Sequence, residues 1–144
     1  MTRPVVKFET SDAAEAPAPL HILVVEDHSG CLLVTTSYLD LYGHTYDVAR
    51  SGEEALHKAT TSDYSLILTD VKMRDIDGLE VTRHIREFER ENQKAAVPII
   101  GLTAYALLGD RERCTTAGMN DYISKPVDYT SLESKIKSIA RPSL

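Results

Sequence analysis

The sequence predicts an α/β fold built on a doubly wound parallel sheet, and three observations support this prediction. Short apolar runs rich in Ile, Leu and Val, at 21–25, 65–69 and 98–102, are typical of strands buried on both faces. Helical patterns alternate with strands in five units, which predicts right-handed βαβ crossovers. Acidic or hydroxyl residues follow each run, at the edge of an open sheet where ligands bind.

The first two units carry clear end signals. The first helix is expected at about 29–42, because Gly43 is a natural residue to end a helix, and the second strand follows at about 45–49. Ser51 and Glu54 have the spacing of a capping box, which predicts that the second helix begins there.

The third helix has the spacing of an amphipathic surface helix. It follows Asp77, and it places Val81, Ile85 and Phe88 on one face. Charged residues such as Arg86 fall elsewhere on the helix. We therefore expect one buried and one charged face.

The last units continue the alternation. A fourth helix is expected at about 107–117, where Gly118 ends it. A short strand at 121–124 leads to a Lys-Pro step, and the last helix is expected at about 129–140. In that helix the inward-facing positions are Leu132, Ile136 and Ile139 or Ala140.

Length and charge limit the class of protein. A chain of 144 residues suits one domain, and its 42% apolar and 26% charged residues are ordinary for a globular protein. No stretch is long enough to span a bilayer, and the net charge of −6 argues against binding nucleic acid. Cys31 and Cys114 lack the neighbours of a zinc site or a disulfide framework. We expect a cytoplasmic protein without membrane contact.

The first residues differ in composition from the rest of the chain. Segment 1–19 mixes Ala, Pro, Glu and Ser without periodicity, which is typical of a linker or a disordered segment. It has no apolar core of a signal peptide. We therefore expect a single domain at 20–144.

Three carboxylates at predicted strand ends indicate a metal site. Glu26, Asp27 and Asp70 would not all stay ionised at close range without a cation. Mg²⁺ is the expected ion, because it prefers oxygen ligands and retains several waters. We expect Asp27 and Asp70 as direct ligands, Glu26 as a ligand through water, and the backbone carbonyl of Lys72 as a further oxygen.

The same residues suit phosphoryl transfer. A carboxylate beside a metal can attack a phosphoryl group, provided that the spreading negative charge is neutralised from several sides. Asp70 is the expected nucleophile, the Lys125 ammonium supplies positive charge, and the Thr103 hydroxyl donates a hydrogen bond to the phosphoryl group.

Four motifs in order carry a family resemblance. VVEDH, LILTDVKM with DGLE after it, PIIGLTA and DYISKP resemble the receiver domain of two-component response regulators over about 20–140. The stretch GLTAYALLGDRERCTTAGMNDYISKP looks most like receivers attached to hybrid sensor histidine kinases. The resemblance implies a flavodoxin-like five-stranded sheet in the order 2-1-3-4-5 with five helices.

The resemblance also implies roles and partners. A histidine of a kinase or of a phosphotransfer protein would be the phosphoryl donor in a Mg²⁺-dependent reaction, and the face of the fourth helix, last strand and last helix would switch. We expect self-catalysed phosphorylation and dephosphorylation without independent turnover. By motif position the implied residues are Asp70 as phosphoacceptor, Glu26 and Asp27 as the acidic pocket, Thr103 as the switch hydroxyl, Lys125 as the family's lysine, Tyr122 as the aromatic switch and Pro126 after a cis peptide bond.

The sequence departs from the family pattern at two places, and three alternative functions are compatible with it or close to it. Arg74 stands where the family usually has proline, which suggests a looser loop, and segment 28–30 stands where asparagine is frequent. A stand-alone regulator and a phosphorylation-independent interaction module are the main alternatives. A phosphatase of the haloacid dehalogenase type is disfavoured, because Asp70 is not followed by the DxDx[TV] pattern.

Overall fold

The computed structural model describes residues 19–104, 109 and 111–140, with the side chain of residue 140 excepted. The predicted linker at 1–19 therefore lies almost wholly outside the described residues. The strands are β1 (His21–Val25), β2 (Thr45–Ala49), β3 (Leu66–Asp70), β4 (Ile99–Thr103) and β5 (Asp121–Ser124). The helices are α1 (Ser29–Tyr42), α2 (Gly52–Thr61), α3 (Gly78–Glu91), α4 (Arg111–Ala117) and α5 (Tyr129–Ala140).

The five strands form one parallel sheet in the order β2-β1-β3-β4-β5, as expected. At its centre Val24 pairs with Val48 of β2 on one side and with Leu68 of β3 on the other. The chain runs outward from β1 to β2 and then crosses back to β3. The crevice of a doubly wound sheet therefore opens at the carboxyl ends of β1 and β3.

Alternate residues of the central strands enter two cores, one on each face of the sheet. Leu23 and Ile67 belong to the core that α2, α3 and α4 cover, whereas Val24 and Leu68 face α1 and α5. All residues of β3 and β4 are buried. The continuous apolar runs thus indicated double-sided burial correctly, because each strand fills both cores.

Helix ends confirm most of the predicted signals. Gly43 follows α1 with φ of +88°, a left-handed conformation that glycine adopts without steric cost. Ser51 Oγ accepts a hydrogen bond from Glu54 N at 3.1 Å, which is half of the capping box. The other half differs, because Glu54 Oε1 accepts from Arg50 N at 2.8 Å rather than from the backbone of Ser51.

Some boundaries and one side chain differ from the predictions. β3 and β4 begin and end one residue later than expected, because Val71 N still donates to Leu102 O at 2.9 Å and extends the ladder. The described part of the fourth helix begins at Arg111, and the predicted start at 107 lies outside the described residues. Arg86, which was predicted to fall on the charged face, is largely buried, with 13% of its side chain exposed. No helix in the described ranges is long and apolar enough to cross a membrane.

Candidate functional site

Three carboxylates meet at the carboxyl edge of the sheet. Glu26 and Asp27 follow β1, and Asp70 is the last residue of β3. Glu26 N donates to Ala49 O of β2 at 3.0 Å, so the acidic pair leaves the sheet in a fixed direction. One oxygen from each of the three carboxylates lies within 4.8 Å of the others. The structure therefore brings together the acidic residues that the sequence predicted to meet.

Lys125 enters the cluster from the loop after β5. Its Nζ lies 3.0 Å from Glu26 Oε1 and 3.1 Å from Asp70 Oδ1. The backbone N of Lys125 donates to Thr103 O at 2.8 Å, which ties this loop to the end of β4. The Lys125-Pro126 peptide bond is cis, as the resemblance implied. A single ammonium thus bridges two of the three carboxylates.

Burial shifts the pKa values of both Asp70 and Lys125. Asp70 is only 6% exposed, and burial, followed by the neighbouring Glu26 carboxylate, raises the pKa of Asp70 to about 6 against the opposing effect of Lys125. Burial also acts to lower the pKa of Lys125, but the hydrogen bonds and negative charges of Glu26 and Asp70 outweigh it and raise that pKa. The ammonium is therefore held in its charged form.

Two arginines adjoin Asp27, and sequence analysis predicted neither contact. Arg50 Nη2 donates to Asp27 O at 3.3 Å and to Ser29 Oγ at 2.7 Å, which fixes the loop between β1 and α1. Arg74 Nε lies 3.8 Å from Asp27 Oδ2. A signal for Arg50 existed, since it directly follows β2 and so stands at the same sheet edge as the acidic pair.

The loop that follows Asp70 is anchored, contrary to the expectation from Arg74. Asp75 accepts hydrogen bonds from Gly52 N and Glu53 N, both at 3.0 Å, at the start of α2. A Cβ on Gly52 would lie 2.3 Å from Ile76 Cγ1, so Ile76 packs directly against the helix backbone. The absence of proline is therefore compensated by a side chain that caps a neighbouring helix.

Comparison with known proteins decides the family. The family model described as response regulator receiver domain matches residues 22–137. The chain belongs to this family. The sensor protein EvgS of Escherichia coli K12 is 37% identical over 134 residues, which cover 93% of this chain but 11% of EvgS. The chain likewise spans 17% of the aerobic respiration control sensor ArcB of the same organism, at 34% identity over 93% of this chain.

Solved receivers share the fold. The receiver domain of a sensor histidine kinase from Pseudomonas aeruginosa, with a magnesium ion coordinated in its active-site cleft, is 37% identical with a TM-score of 0.76 and 85% of this chain and 98% of that chain covered. A co-crystal of the Saccharomyces cerevisiae phosphotransfer protein Ypd1 with the receiver domain of Ssk1 gives 29% identity and a TM-score of 0.82, covering 86% of this chain and 90% of that chain.

The other residues predicted for the receiver site lie around the cluster. Lys72 N donates to Asp70 Oδ1 at 3.4 Å, and the predicted role of the Lys72 carbonyl stays a prediction. Thr103 is the last residue of β4 and is buried. Tyr122 is half-buried in β5, where Lys135 Nζ lies 5.9 Å from its ring centroid. The switch roles of both residues also stay predictions.

The donor set of this receiver fits a hard divalent cation. The cluster offers carboxylate oxygens and no sulfur or imidazole ligand within the described residues. Mg²⁺ prefers such oxygens and fills its remaining positions with water. Three carboxylates against one closely bound ammonium leave an excess of negative charge that a cation would neutralise.

Proposed function

We propose that Asp70 accepts a phosphoryl group from a phosphohistidine, as one step of a phosphorelay. A carboxylate oxygen of Asp70 attacks phosphorus, the bond from phosphorus to the histidine nitrogen breaks, and the imidazole leaves with that electron pair. The observation that carries this proposal is the geometry of Asp70, which ends β3 in the crevice with the Lys125 ammonium 3.1 Å from Oδ1.

We propose that the site holds Mg²⁺ through Asp27 and Asp70 directly, Glu26 through water and the carbonyl of Lys72. The ion, when bound, neutralises charge on the phosphoryl oxygens during transfer. The acidic cluster and the magnesium ion in the Pseudomonas aeruginosa receiver support this assignment.

Lys125 contributes a second positive charge. Its ammonium lies between Glu26 and Asp70, so it can bind a phosphoryl oxygen once the phosphoryl group is on Asp70 and neutralise the negative charge of that oxygen. Before transfer, the same contact favours the ionised form of Asp70, whose pKa burial raises to about 6. The nucleophile is then mostly ionised at neutral pH.

Thr103 and Tyr122 are the residues proposed to change conformation when Asp70 carries a phosphoryl group. Thr103 ends β4, next in the chain to Leu102, which is the register partner of Asp70, so its hydroxyl is near enough in the fold to respond to new oxygen acceptors. We propose that Thr103 turns toward the phosphate and that Tyr122 turns inward. Both changes shift an existing equilibrium at the face formed by α4, β5 and α5.

The partner is proposed to be a histidine kinase or a histidine phosphotransfer protein that docks on α1. Leu33 and Leu41 are 67% and 71% exposed on this helix, together with Val34. In the described part of the chain, the other exposed large apolar side chain is Tyr129, whose ring lies 4.9 Å from that of Tyr42 of α1. Concentrated apolar exposure of this kind marks a contact surface, and the Ypd1 co-crystal supports this class of partner.

The native context of the domain is also a proposal. We propose that 20–144 form the receiver domain of a cytoplasmic phosphorelay protein, with the C-terminal receiver of a hybrid histidine kinase preferred over a stand-alone regulator. The relatives EvgS and ArcB, both sensor proteins, support this preference.

Beryllofluoride, which mimics the phosphoryl group on aspartate, tests this function. We expect that Mg²⁺ and then beryllofluoride cause saturable amide NMR shifts at Asp70, Thr103 and Lys125, extending to Tyr122. Asp70→Asn is the matched control, because it keeps the shape of the side chain and removes the nucleophile, and we expect no beryllofluoride shifts in it. A wild-type protein that responds to neither addition would be a phosphorylation-independent interaction module.

A further inference from the structure

Arg74 stands at the mouth of the proposed metal site, where an ion pair with Asp27 is its side-chain contact among the described residues. Its Nε lies 3.8 Å from Asp27 Oδ2, which is an ion-pair distance, and its side chain is 90% exposed. Asp27 is the most exposed of the three carboxylates, so it is the one that a cation from solvent would meet first. Arg74 and an incoming metal ion therefore approach the same carboxylate.

The backbone that carries Arg74 is held in this position from both sides. On its C-terminal side Asp75 caps the start of α2, and Ile76 packs against Gly52. On its N-terminal side the strand ladder continues through Val71, whose carbonyl accepts from Gly78 N at 2.8 Å. The short loop between these anchors keeps the Arg74 side chain within reach of Asp27.

From this arrangement we infer that Arg74 is a built-in counter-ion that competes with the divalent cation for Asp27. The inference rests on the proposed function, because it concerns the proposed Mg²⁺ site. Mg²⁺ held by Asp27 would weaken the Arg74 contact, because the carboxylate charge is then shared with the ion, and the double positive charge would repel the guanidinium. Both changes oppose metal binding, so the receiver binds Mg²⁺ less tightly with Arg74 than without its charge.

The expected effect is modest, because the arginine is exposed and can swing away from the metal into water. Exposed ion pairs contribute little, and salt screens them. We expect Arg74→Gln to lower the Kd for Mg²⁺ by about threefold at low ionic strength. Arg74→Lys, which keeps the charge, restores an affinity close to that of the wild type.

The test is a Mg²⁺ titration of the whole chain, followed by amide NMR shifts or calorimetry, without any phosphoryl donor. Arg90→Ala is the matched control, since it removes one positive charge at the far end of α3, about 18 Å along the helix from Gly78. We expect the control to leave Kd within experimental error of the wild type. The gap between the wild type and Arg74→Gln should narrow when salt is added.

The outcomes separate this inference from the proposed function. A wild-type protein that binds no Mg²⁺ at all contradicts the proposed function itself. A wild type that binds Mg²⁺, with Arg74→Gln binding equally or more weakly, contradicts only the competition by Arg74. A gap that persists unchanged at high salt also contradicts it, because such a gap would come from a rearranged loop rather than from charge.

Discussion

Charged side chains are buried or largely buried at both edges of the sheet, but they are paired one to one at the amino edge and unbalanced at the carboxyl edge. At the amino edge the Arg86 guanidinium donates to both carboxylate oxygens of Glu89, at 2.8 and 3.1 Å, and to Gly118 O and Asn120 Oδ1, both at 3.0 Å. Glu89 also accepts from Val97 N at 2.8 Å. At this edge one positive charge meets one negative charge, and each makes several hydrogen bonds.

At the carboxyl edge the charges do not match. Glu26, Asp27 and Asp70 lie together, and within the described residues Lys125 is the cation in close contact with two of them. Burial, followed by the neighbouring Glu26 carboxylate, raises the pKa of Asp70 to about 6. A buried ion pair of matched charges holds the elements around it together, whereas a cluster with excess negative charge favours the binding of a cation. The difference separates a structural network from a site that can bind and react.

Removal of Arg86 gives the largest change in stability that this contrast predicts. Arg86→Ala leaves the Glu89 carboxylate buried without its partner, since the two side chains are only 13% and 9% exposed. We expect the free energy of unfolding to fall by about 3–5 kcal/mol in urea titrations.

Arg83→Ala is the control for that prediction. Arg83 has the same spacing from its acidic partner Glu80, but both side chains are about half exposed. We expect a change of less than about 1 kcal/mol. Equal losses in the two variants would mean that burial does not distinguish the two ion pairs.

Neutralisation of Asp70 is expected to stabilise the protein in metal-free buffer. The pKa of Asp70 is raised from 3.8 in the unfolded chain to about 6 in the folded protein, so between these values the folded state retains a proton that the unfolded state has lost. The stability that the protonated carboxyl contributes is present at low pH and is lost as pH rises through 6. Asp70→Asn should therefore exceed the wild type by up to about 3 kcal/mol at pH 7.5.

The pH dependence provides the check on this prediction. The difference in free energy of unfolding between Asp70→Asn and the wild type should shrink as pH falls from 6 to 4, and it should approach zero below about pH 3, where both the folded and the unfolded wild type bind the proton. Urea denaturation across this range measures it. A difference that stays constant with pH would show that the amide acts through packing rather than through charge.

Mg²⁺ is expected to stabilise the folded protein by binding at the carboxyl edge. This stabilisation is smaller than the changes predicted for Arg86→Ala and Asp70→Asn. At a free concentration ten times its Kd, an ion that binds only the folded state adds about 1.4 kcal/mol to the free energy of unfolding. The same addition to Asp27→Asn should have much less effect, because a proposed direct ligand is lost. A thermal unfolding series against MgCl₂ measures both, and equal stabilisation of the two proteins would place the ion elsewhere.

Sequence patterns predicted the fold and the meeting of the acidic residues from local information. The apolar runs require burial on two faces, and the parallel topology that follows places the ends of β1 and β3 at one edge. Glu26, Asp27 and Asp70 then meet without any further information. Lys125 was predicted for the same site, because it follows the last predicted strand and so stands at the same edge of the sheet.

The contacts of individual arginines could not be predicted in this way. Arg83 and Arg86 lie on the same helix, each three residues from a glutamate, and the sequence around them does not tell them apart. Arg86 is largely buried because the turn that contains Gly118 and Asn120, more than 30 residues later in the chain, packs over it. Only the packed structure brings that turn to the helix.

By itself, the sequence determined the order of strands and helices, the burial of the central strands and the positions where chemical groups leave the sheet, because these follow from short-range hydrophobic patterns and from parallel topology. Tertiary structure decided which charges are matched. It surrounded Arg86 with acceptors from Glu89, Gly118 and Asn120, anchored the loop of Arg74 through Asp75 and placed Arg74 beside Asp27. The physical reason is that charge pairing depends on distances of a few ångströms between segments that are remote in the chain.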